Sequence, residues 1–314
     1  MLVVGEQPDP EPESGEVRIR LHYSGINPGD IKKRKDTFGY GMSYPLVIPH
    51  SDGAGMIECV GENVSESRIG ERVWCYGAQS YRSFGTAAEY VVVPFHQAVS
   101  LPENVSFEQG ACLGIPGITA YRTVYIAGDV QGKTVLVKGG GGAVGQCVVA
   151  LARFADAKVI ATVCSEYDEH IAIKAGAHSV SLTDNLTQDQ IIESIQDAAS
   201  GDIHHIIEVA FDANIEIDKE LIATGGSIAA YATGNPEPRI PFWPLLFKNV
   251  RLFLLGSDDF PTDAKLAAAN EINRALKTGW QGFEIGKIIE LENITEAHMT
   301  EENGFDKGRV ILKI

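Results

Sequence analysis

The spacing of apolar residues divides the chain into two parts. In the first hundred or so residues, apolar and polar positions alternate with period two, which is typical of half-buried strands. Turns that contain glycine separate these runs, so the region is predicted to be mostly β, a small barrel-like domain. The predicted strands cover residues 16–23, 56–60, 72–76 and 88–93.

Further along, short apolar runs alternate with segments of helical spacing. The predicted strands here are 135–137, 159–163, 179–182, 205–210, 227–231 and 251–255, and the predicted helices are 143–154, 167–175 and 188–199. Six strands joined by helical crossovers predict a doubly wound parallel sheet. Residues 105–127 are also predicted to be helical, with an interruption at 114–117. The last segment returns to a helix at 264–277 and strands at 287–291 and 309–314.

The junction between the first of these six strands and its helix is rich in glycine. Gly140, Gly142 and Gly145 fit the pattern G-x-G-x-x-G, and Gly139, Gly142 and Gly145 fit an evenly spaced variant. Gly142 leaves no Cβ between the backbone and a pyrophosphate, and Gly145 lets the helix lie close to the strand. The phosphates would meet the N–H groups at the N-terminus of the helix. The sequence therefore predicts a dinucleotide-binding loop.

The end of the next strand bears on which dinucleotide binds. An acidic side chain there would hold the ribose 2′-hydroxyl and repel a 2′-phosphate. Neutral Cys164 stands at this point, and Ser165 follows with a hydroxyl that can donate a hydrogen bond. This favours NADPH over NADH. The preference is small, because Glu166, Asp168 and Glu169 follow without a neighbouring lysine or arginine.

Charge and cysteine usage narrow the classes of partner. The net charge of −16 disfavours nucleic acid, whose phosphates would be repelled, and the single basic cluster at 32–35 is interpreted as a solvated helix face. The cysteines are odd in number, scattered and without a C-x-x-C pair, as expected for a reducing compartment. Without a signal-peptide pattern or an apolar run of about 18 residues, we expect a cytoplasmic protein with no membrane partner.

The histidines show no metal-binding spacing. His50 lies near Cys59, but neither a C-x-x-C pair nor a second histidine accompanies them, so His50 is predicted to be a hydrogen-bonded loop residue. The same interpretation applies to the other histidines considered, which are His22, His96, His178, His204, His205 and His298. The sequence also lacks G-x-S-x-G and any evident pairing of serine, histidine and carboxylate. Hydride transfer needs no such nucleophile, because the cofactor supplies the chemistry.

Several longer motifs resemble those of the zeta-crystallin-like quinone oxidoreductases, the zinc-free branch of the medium-chain dehydrogenase/reductase superfamily. The resemblance covers almost the whole chain. The matching segments are Ser24 to Asp30 (SGINPGD), Ile48 to Gly55 (IPHSDGAG), Gly70 to Val73 (GERV), Gly114 to Tyr121 (GIPGITAY) and Lys307 to Leu312 (KGRVIL).

The resemblance implies a GroES-like catalytic domain (residues 1–100 and 262–314), a Rossmann NADP-binding domain (residues 101–261) and an active site in the cleft between them. Zinc-containing relatives would place metal ligands near Asn27, Ser51 and Ile115, and none of these is a cysteine or histidine. Zinc-independent chemistry is therefore expected. The implied catalytic positions are Asn27 and Thr119, and the implied cofactor contacts are Gly139, Gly142, Ala143, Val144, Gly145, Ser165, Ala210, Tyr231 and Leu255.

The leading hypothesis is hydride transfer from NADPH to a quinone or another conjugated carbonyl, with solvent supplying the proton. The Asn27 amide would donate a hydrogen bond to the developing oxyanion or to the nicotinamide carboxamide. Asn27 could alternatively only complete its Asn-Pro turn. Two other functions remain open: an enoyl-thioester reductase of the same superfamily, and a non-catalytic crystallin-like protein that binds NADPH or RNA. A homodimer is expected, joined along the apolar strand at 251–255, whose unpaired edge would otherwise promote aggregation.

Overall fold

The computed structural model describes residues 2–39, 41, 43–304 and 307–314, and it divides into two compact units. Unit 1 consists of Met1–Ile115 and Gly282–Ile314, and unit 2 is Pro116–Gln281. The domain boundaries expected from the sequence lie earlier in the chain, after residues 100 and 261.

The secondary-structure elements of the described residues are numbered here in chain order. The strands are β1 (Glu16–Gly25), β2 (Asp52–Val60), β3 (Arg72–Cys75), β4 (Tyr90–Pro94), β5 (Ala98–Ser100), β6 (Thr134–Lys138), β7 (Lys158–Val163), β8 (Ser179–Leu182), β9 (Ile203–Glu208), β10 (Ile222–Ala230), β11 (Arg251–Leu254), β12 (Ile285–Glu290) and β13 (Arg309–Lys313). The α-helices are α1 (Pro28–Arg34), α2 (Phe107–Gly110), α3 (Gly114–Tyr125), α4 (Ala143–Phe154), α5 (Glu166–Ala175), α6 (Gln188–Ala199), α7 (Phe211–Leu221), α8 (Phe242–Phe247), α9 (Thr262–Thr278) and α10 (Ile294–Glu302). Short 3₁₀ helices occur at Glu66–Arg68, Phe95–Gln97, Ser257–Asp259 and Leu291–Asn293.

Unit 1 is built on a mixed seven-stranded sheet, as the period-two pattern predicts. The strand order is β12-β13-β1-β2-β3-β5, and β4 also pairs with β1. Alternate residues of β1, namely Val17, Ile19 and Leu21, point into one core because successive side chains of a strand face opposite sides. The basic cluster forms the end of α1, where Arg34 and Lys35 both pair with Glu302 of α10.

Unit 2 contains the predicted parallel sheet. Its order is β11-β10-β9-β6-β7-β8, and all of these pairings are parallel. Strand β6 is buried along its whole length, as expected when helices cover both faces. The strand order reverses between β6 and β9, and in such sheets ligands bind beyond the carboxyl ends of the strands at that point.

The predicted interruption at 114–117 is wrong. These residues form the first turn of α3, where Pro116 is tolerated because a first-turn N–H has no intrahelical partner. A Cβ on Gly117 would lie 2.5 Å from Ile272 Cδ1, so this glycine lets α3 approach α9 closely. Helix α9 also packs against α4, and it belongs to unit 2 rather than to the first domain as expected. No helix in the described part of the chain is long and apolar enough to cross a membrane.

Candidate active site

The glycine loop of unit 2 is a turn in which backbone approaches backbone. Gly139 follows β6 with φ of +69°, a conformation that glycine adopts without strain. A Cβ on Gly145 would lie 2.0 Å from the Gly139 carbonyl oxygen, and one on Gly140 would lie 2.6 Å from Ala161 Cβ. Both contacts are shorter than atoms tolerate, so these glycines are required for the fold itself.

Gly142 differs from its neighbours because the space around its Cα is open. A Cβ there would meet only the Gly139 oxygen at 3.4 Å, an ordinary contact. Gly142 is the N-cap of α4 and has no side chain with which to cap the helix. The first N–H groups of α4, including those of Ala143 and Val144, therefore remain available for an anion, as the dinucleotide prediction requires.

The other predicted cofactor residues all follow strand ends at the same edge of the sheet. Ser165 comes after β7, Ala210 after β9, Tyr231 after β10 and Leu255 after β11. Ser165 caps α5: its hydroxyl accepts the Asp168 N–H at 3.1 Å and donates to Asp168 Oδ2 at 2.7 Å. The structure thus brings these positions to one edge of the sheet. Thr119 is buried on α3 of the same unit.

A buried ionisable cluster beneath this edge was missed from the sequence. Lys138 Nζ lies 3.5 Å from Asp218 Oδ1, and both side chains are almost fully buried. Burial raises the pKa of Asp218 well above its ordinary value, although the Lys138 charge opposes this. The neighbouring Glu208 accepts hydrogen bonds from the Ala210 N–H at 2.5 Å and from Asn214 Nδ2 at 3.0 Å. The cluster therefore fixes the segment that carries Ala210. The sequence signal for this cluster was that Lys138 and Glu208 each end an apolar strand.

Asn27 in unit 1 is 4% exposed and immediately precedes α1. Its backbone N–H donates to Asp30 Oδ2 at 2.8 Å, and the Asp30 N–H donates to the Asn27 carbonyl at 2.9 Å. The side chain points elsewhere: Nδ2 donates to Asp52 Oδ2 at 2.7 Å, and Oδ1 accepts from Arg309 Nη2 at 2.8 Å. The Asn-Pro turn uses the backbone of Asn27, and it therefore does not explain the hydrogen bonds of the Asn27 side-chain amide.

Asp52 joins Asn27 to the start of α3. Its two carboxylate oxygens lie 2.9 and 2.8 Å from the Ile115 N–H, which donates to them. A Cβ on Gly114 would lie 2.1 Å from Asp52 Oδ1, so only glycine fits there. Burial, and to a smaller extent the nearby Asp52, raise the pKa of Asp30 to about 7 despite the hydrogen bond from Asn27.

The positions where zinc-containing relatives would hold metal do not suit zinc. Zinc sites in proteins use cysteine, histidine and carboxylate ligands. Here Asn27 has an amide, whose oxygen already accepts a hydrogen bond from the cationic Arg309. Ser51 has a hydroxyl and Ile115 has an aliphatic side chain. Within the described residues, no group of three or more histidine, cysteine, aspartate or glutamate side chains could hold a metal ion. Zinc-independent activity stays a prediction.

His50 is a buried, hydrogen-bonded loop residue, as predicted, and it pairs with His298. Thr86 Oγ1 donates to the Asp52 carbonyl at 2.6 Å, so Ser24 donates to Thr86 and accepts from His50 Nδ1, each at 2.8 Å. His50 Nε2 must then accept from His298 Nε2, at 2.9 Å. Burial, followed by His298, lowers the pKa of His50 well below its ordinary value, and burial lowers that of His298 to about 4. Both rings are neutral at pH 7.

Comparison with known proteins defines the class first. Residues 13–103 match the family of the alcohol dehydrogenase GroES-like domain, and residues 143–269 match the zinc-binding dehydrogenase family. The GroES-like domain and the Rossmann-type parallel sheet together are the architecture of the medium-chain dehydrogenase/reductase superfamily.

Full-length relatives then define the branch. The chain is 31% identical to the quinone oxidoreductase of Mus musculus over 311 residues, 96% of this chain and 90% of the relative. It is 32% identical to that of Homo sapiens with the same coverage. The chain therefore belongs to the zeta-crystallin-like quinone oxidoreductase family. Its fold is similar to that of the Escherichia coli quinone oxidoreductase complexed with NADPH, with a TM-score of 0.84, 20% identity and coverage of 99% of this chain and 95% of that one.

Proposed function

We propose that this protein reduces a quinone or another conjugated carbonyl with NADPH and without zinc. The observation that carries the proposal is the Asn27 amide, which is buried and fixed at both Oδ1 and Nδ2 where zinc-containing relatives would place a metal ligand. A fixed donor of this kind stabilises charge that develops on an acceptor oxygen. Family membership and the open edge of the glycine loop support the same function.

The proposed chemistry needs a site for the nucleotide and a hydrogen-bond donor for the acceptor. The N–H groups that follow Gly142 bind the pyrophosphate, and the Asn27 amide donates its second N–H to the acceptor oxygen. When bound, NADPH would supply the hydride. A quinone then becomes the hydroquinone monoanion, which takes one proton from solvent. Such an acceptor needs little acid catalysis, because aromatisation stabilises the anion.

NADPH is proposed as the preferred nucleotide. Cys164, at the end of β7, offers no carboxylate to repel a 2′-phosphate. Asp168 lies against the loop, since a Cβ on Gly141 would approach its Cβ to 2.4 Å, and this limits the preference. Titration of intrinsic fluorescence with both nucleotides tests the proposal. Tighter NADPH binding supports it, and equal or tighter NADH binding contradicts it.

The acceptor is tested by following NADPH consumption with quinones, enones and enoyl thioesters under the same conditions. Fastest turnover with quinones or enones supports the proposal, whereas fastest turnover with enoyl thioesters favours the alternative reductase. That alternative requires basic residues for a phosphopantetheine carrier, but Arg34 and Lys35 are already paired with Glu302. RNA retention on nitrocellulose at low salt without NADPH oxidation would favour the non-catalytic alternative.

We also propose a homodimer joined along β11. Strand β11 ends the sheet, and its Leu254 is 70% exposed. Exposed Trp243 and Phe247 of the preceding helix α8 stack at 5.9 Å and extend the apolar surface beside it. Pairing of this edge with a second copy would cover it.

Light scattering of matched variants tests the dimer. Leu254→Lys should shift the protein toward monomer. Leu182→Lys, on the opposite edge strand β8, where the leucine is 37% exposed, should not. A dilute, monodisperse wild-type monomer would refute the proposal.

A cytoplasmic location is proposed from cysteine usage. All five cysteines, Cys59, Cys75, Cys112, Cys147 and Cys164, are free, as in proteins of reducing compartments. Fractionation of cells that express the protein would test this, and recovery in a secreted or membrane fraction would contradict it.

A further inference from the structure

The orientation of the Asn27 amide is fixed by the chemistry of its two partners. A carboxylate only accepts hydrogen bonds, and a guanidinium only donates them. Nδ2 must therefore face Asp52 and Oδ1 must face Arg309, because the reversed amide would place acceptor against acceptor and donor against donor. One Nδ2 hydrogen is used by Asp52, and the other remains to be donated.

Arg309 is a buried cation at the oxygen end of this amide. It is 6% exposed, and its Nη2 donates to both the Ile26 carbonyl and Asn27 Oδ1, each at 2.8 Å. Arginine stays protonated in proteins. Hydrogen bonds in a chain polarise one another, so a cation bound at the amide oxygen makes the amide N–H a stronger donor.

Asp52 holds the other end of the amide. It is fully buried, and its anchor on the Ile115 N–H keeps the carboxylate still. With Nδ2 bound at 2.7 Å on one side, rotation of the amide would break two charge-assisted hydrogen bonds. The remaining N–H is therefore preorganised before an acceptor arrives.

We infer that Arg309 and Asp52 are positioning residues for hydride transfer, and that Arg309 transmits its positive charge through the Asn27 amide to the acceptor oxygen. Asp52 sets the direction of the donating N–H. Because a carboxylate bound at Nδ2 weakens the second N–H as a donor, the Arg309 cation at Oδ1 offsets this effect and restores its strength. This inference rests on the proposed function, since it assigns the Asn27 amide to a reducible acceptor.

The charge is tested by two variants that both keep a hydrogen-bond donor. Arg309→Gln donates without charge, and Arg309→Lys donates with it. Turnover should be measured with substituted benzoquinones that differ in the basicity of the hydroquinone anion. In Arg309→Gln we expect losses that grow with the basicity of the anion and reach about 100-fold for the most basic, the lower end of the range for loss of one preorganised donor. Arg309→Lys should keep most of the turnover that Arg309→Gln loses.

A control separates this effect from simple destabilisation. Arg72 also stabilises unit 1, because its guanidinium donates hydrogen bonds to the carbonyls of Pro102, Glu103 and Val105. It does not belong to the group formed by Asn27, Asp52 and Arg309. Arg72→Gln should lower stability without changing the dependence on the quinone. A uniform loss across the series in Arg309→Gln, equal to that in Arg309→Lys, would overturn the inference.

Nuclear magnetic resonance of the Asn27 side-chain amide, without nucleotide or acceptor, tests the positioning directly and does not depend on folding of the Gln variant. The amide should show two widely separated Nδ2 proton signals in the wild type, one protected from exchange, and Asp52→Asn should remove the protection. Two Nδ2 proton signals with the ordinary separation of a solvent-exposed asparagine, both exchanging rapidly in the wild type, would refute the inference. If the wild type shows the expected signals but reduces no quinone, the proposed function is wrong. The positioning of the Asn27 amide by Asp52 and Arg309 would still be correct.

Discussion

We propose that the glycine loop of unit 2 and the Asn27 cluster of unit 1, formed by Asn27, Asp52 and Arg309, prepare for ligands by opposite means. The loop does so by removing side chains, so that backbone can approach backbone to distances that a Cβ would prevent at Gly140 and Gly145. The cluster does so with buried polar side chains, in which Asp52 and Arg309 hold one amide from both ends. One region is limited by volume and the other by hydrogen bonding and charge. Substitutions should therefore fail differently in the two places.

The largest effect is expected within the loop itself. Gly145→Val should destabilise the protein by more than about 4 kcal/mol or prevent folding, because its Cβ would overlap the Gly139 carbonyl at 2.0 Å. Urea unfolding followed by circular dichroism measures this. Wild-type stability of the variant would mean that the loop is not packed as described.

Gly142→Val should spare the fold and abolish nucleotide binding. Its Cβ has an ordinary 3.4 Å contact within the protein, so what it obstructs is the place of the pyrophosphate. Fluorescence titration with NADPH measures binding by Gly142→Val. Its urea unfolding curve, set beside that of Gly145→Val, shows whether the fold is spared. A folded Gly142→Val protein that still bound NADPH would place the phosphates elsewhere.

A change in the cluster should affect turnover more than nucleotide binding. Asn27→Ala removes one preorganised donor and should lower turnover by about 10- to 1000-fold. NADPH affinity should change much less, because most of the predicted cofactor contacts lie in unit 2. Steady-state kinetics beside a nucleotide titration measure the two effects. Full turnover with the best acceptor would show that Asn27 has no part in catalysis.

The buried histidine pair should make stability depend on pH. His298 has a folded-state pKa of about 4 against an ordinary value of 6.5, with Arg34, Glu302 and His50 facing it. The unfolded chain therefore binds its proton first as pH falls, and the folded state loses up to about 1.4 kcal/mol per pH unit between these two values. Above pH 6.5 this contribution is constant.

Replacing the ring with a neutral amide isolates this pH effect. His298→Gln keeps a donor for His50, so the stability difference between wild type and variant should shift in favour of the variant as pH falls from 7 to 5. Urea unfolding at several pH values measures it, and parallel stability curves for the two proteins would contradict the assignment.

The smallest expected effect is that of chelation. Exhaustive treatment with a chelator should leave NADPH-dependent activity unchanged, because the side chains at Asn27, Ser51 and Ile115 do not suit zinc. Loss of activity that added zinc restores would overturn this prediction.

Local patterns made the loop predictable. The bounds of α4, α6 and β8 agree with the residues predicted from spacing alone, because strand, turn and helix signals follow one another directly in the chain. Helix α7 was missed, since an expected strand end at Ala210 runs straight into it without a polar turn. The short helix α8 was missed because its six residues are nearly all apolar and show no amphipathic period.

The cluster could be predicted only in part. The motif around Asn27 identified the residue, but its partner Arg309 is 282 positions away, and Asp52 is 25 positions away. Only the pairing of β1 with β2 and with β13 brings these three together. The spacing of residues along the sequence does not show which strands pair in the sheet. The hydrogen bonds of Arg309 and Asp52 with Asn27 were therefore visible only in the folded chain.

A single turnover with chelator-treated protein tests the central claim most directly. The protein, loaded with NADPH or with NADPH deuterated at the transferred position of C4, is mixed with a benzoquinone, and loss of the reduced nicotinamide is followed by absorbance. The account predicts rapid oxidation with one hydroquinone formed per NADPH, a slower rate with the deuterated cofactor, and a further loss of rate in Asn27→Ala. No oxidation of bound NADPH by any quinone, or oxidation only after zinc is added, would contradict it.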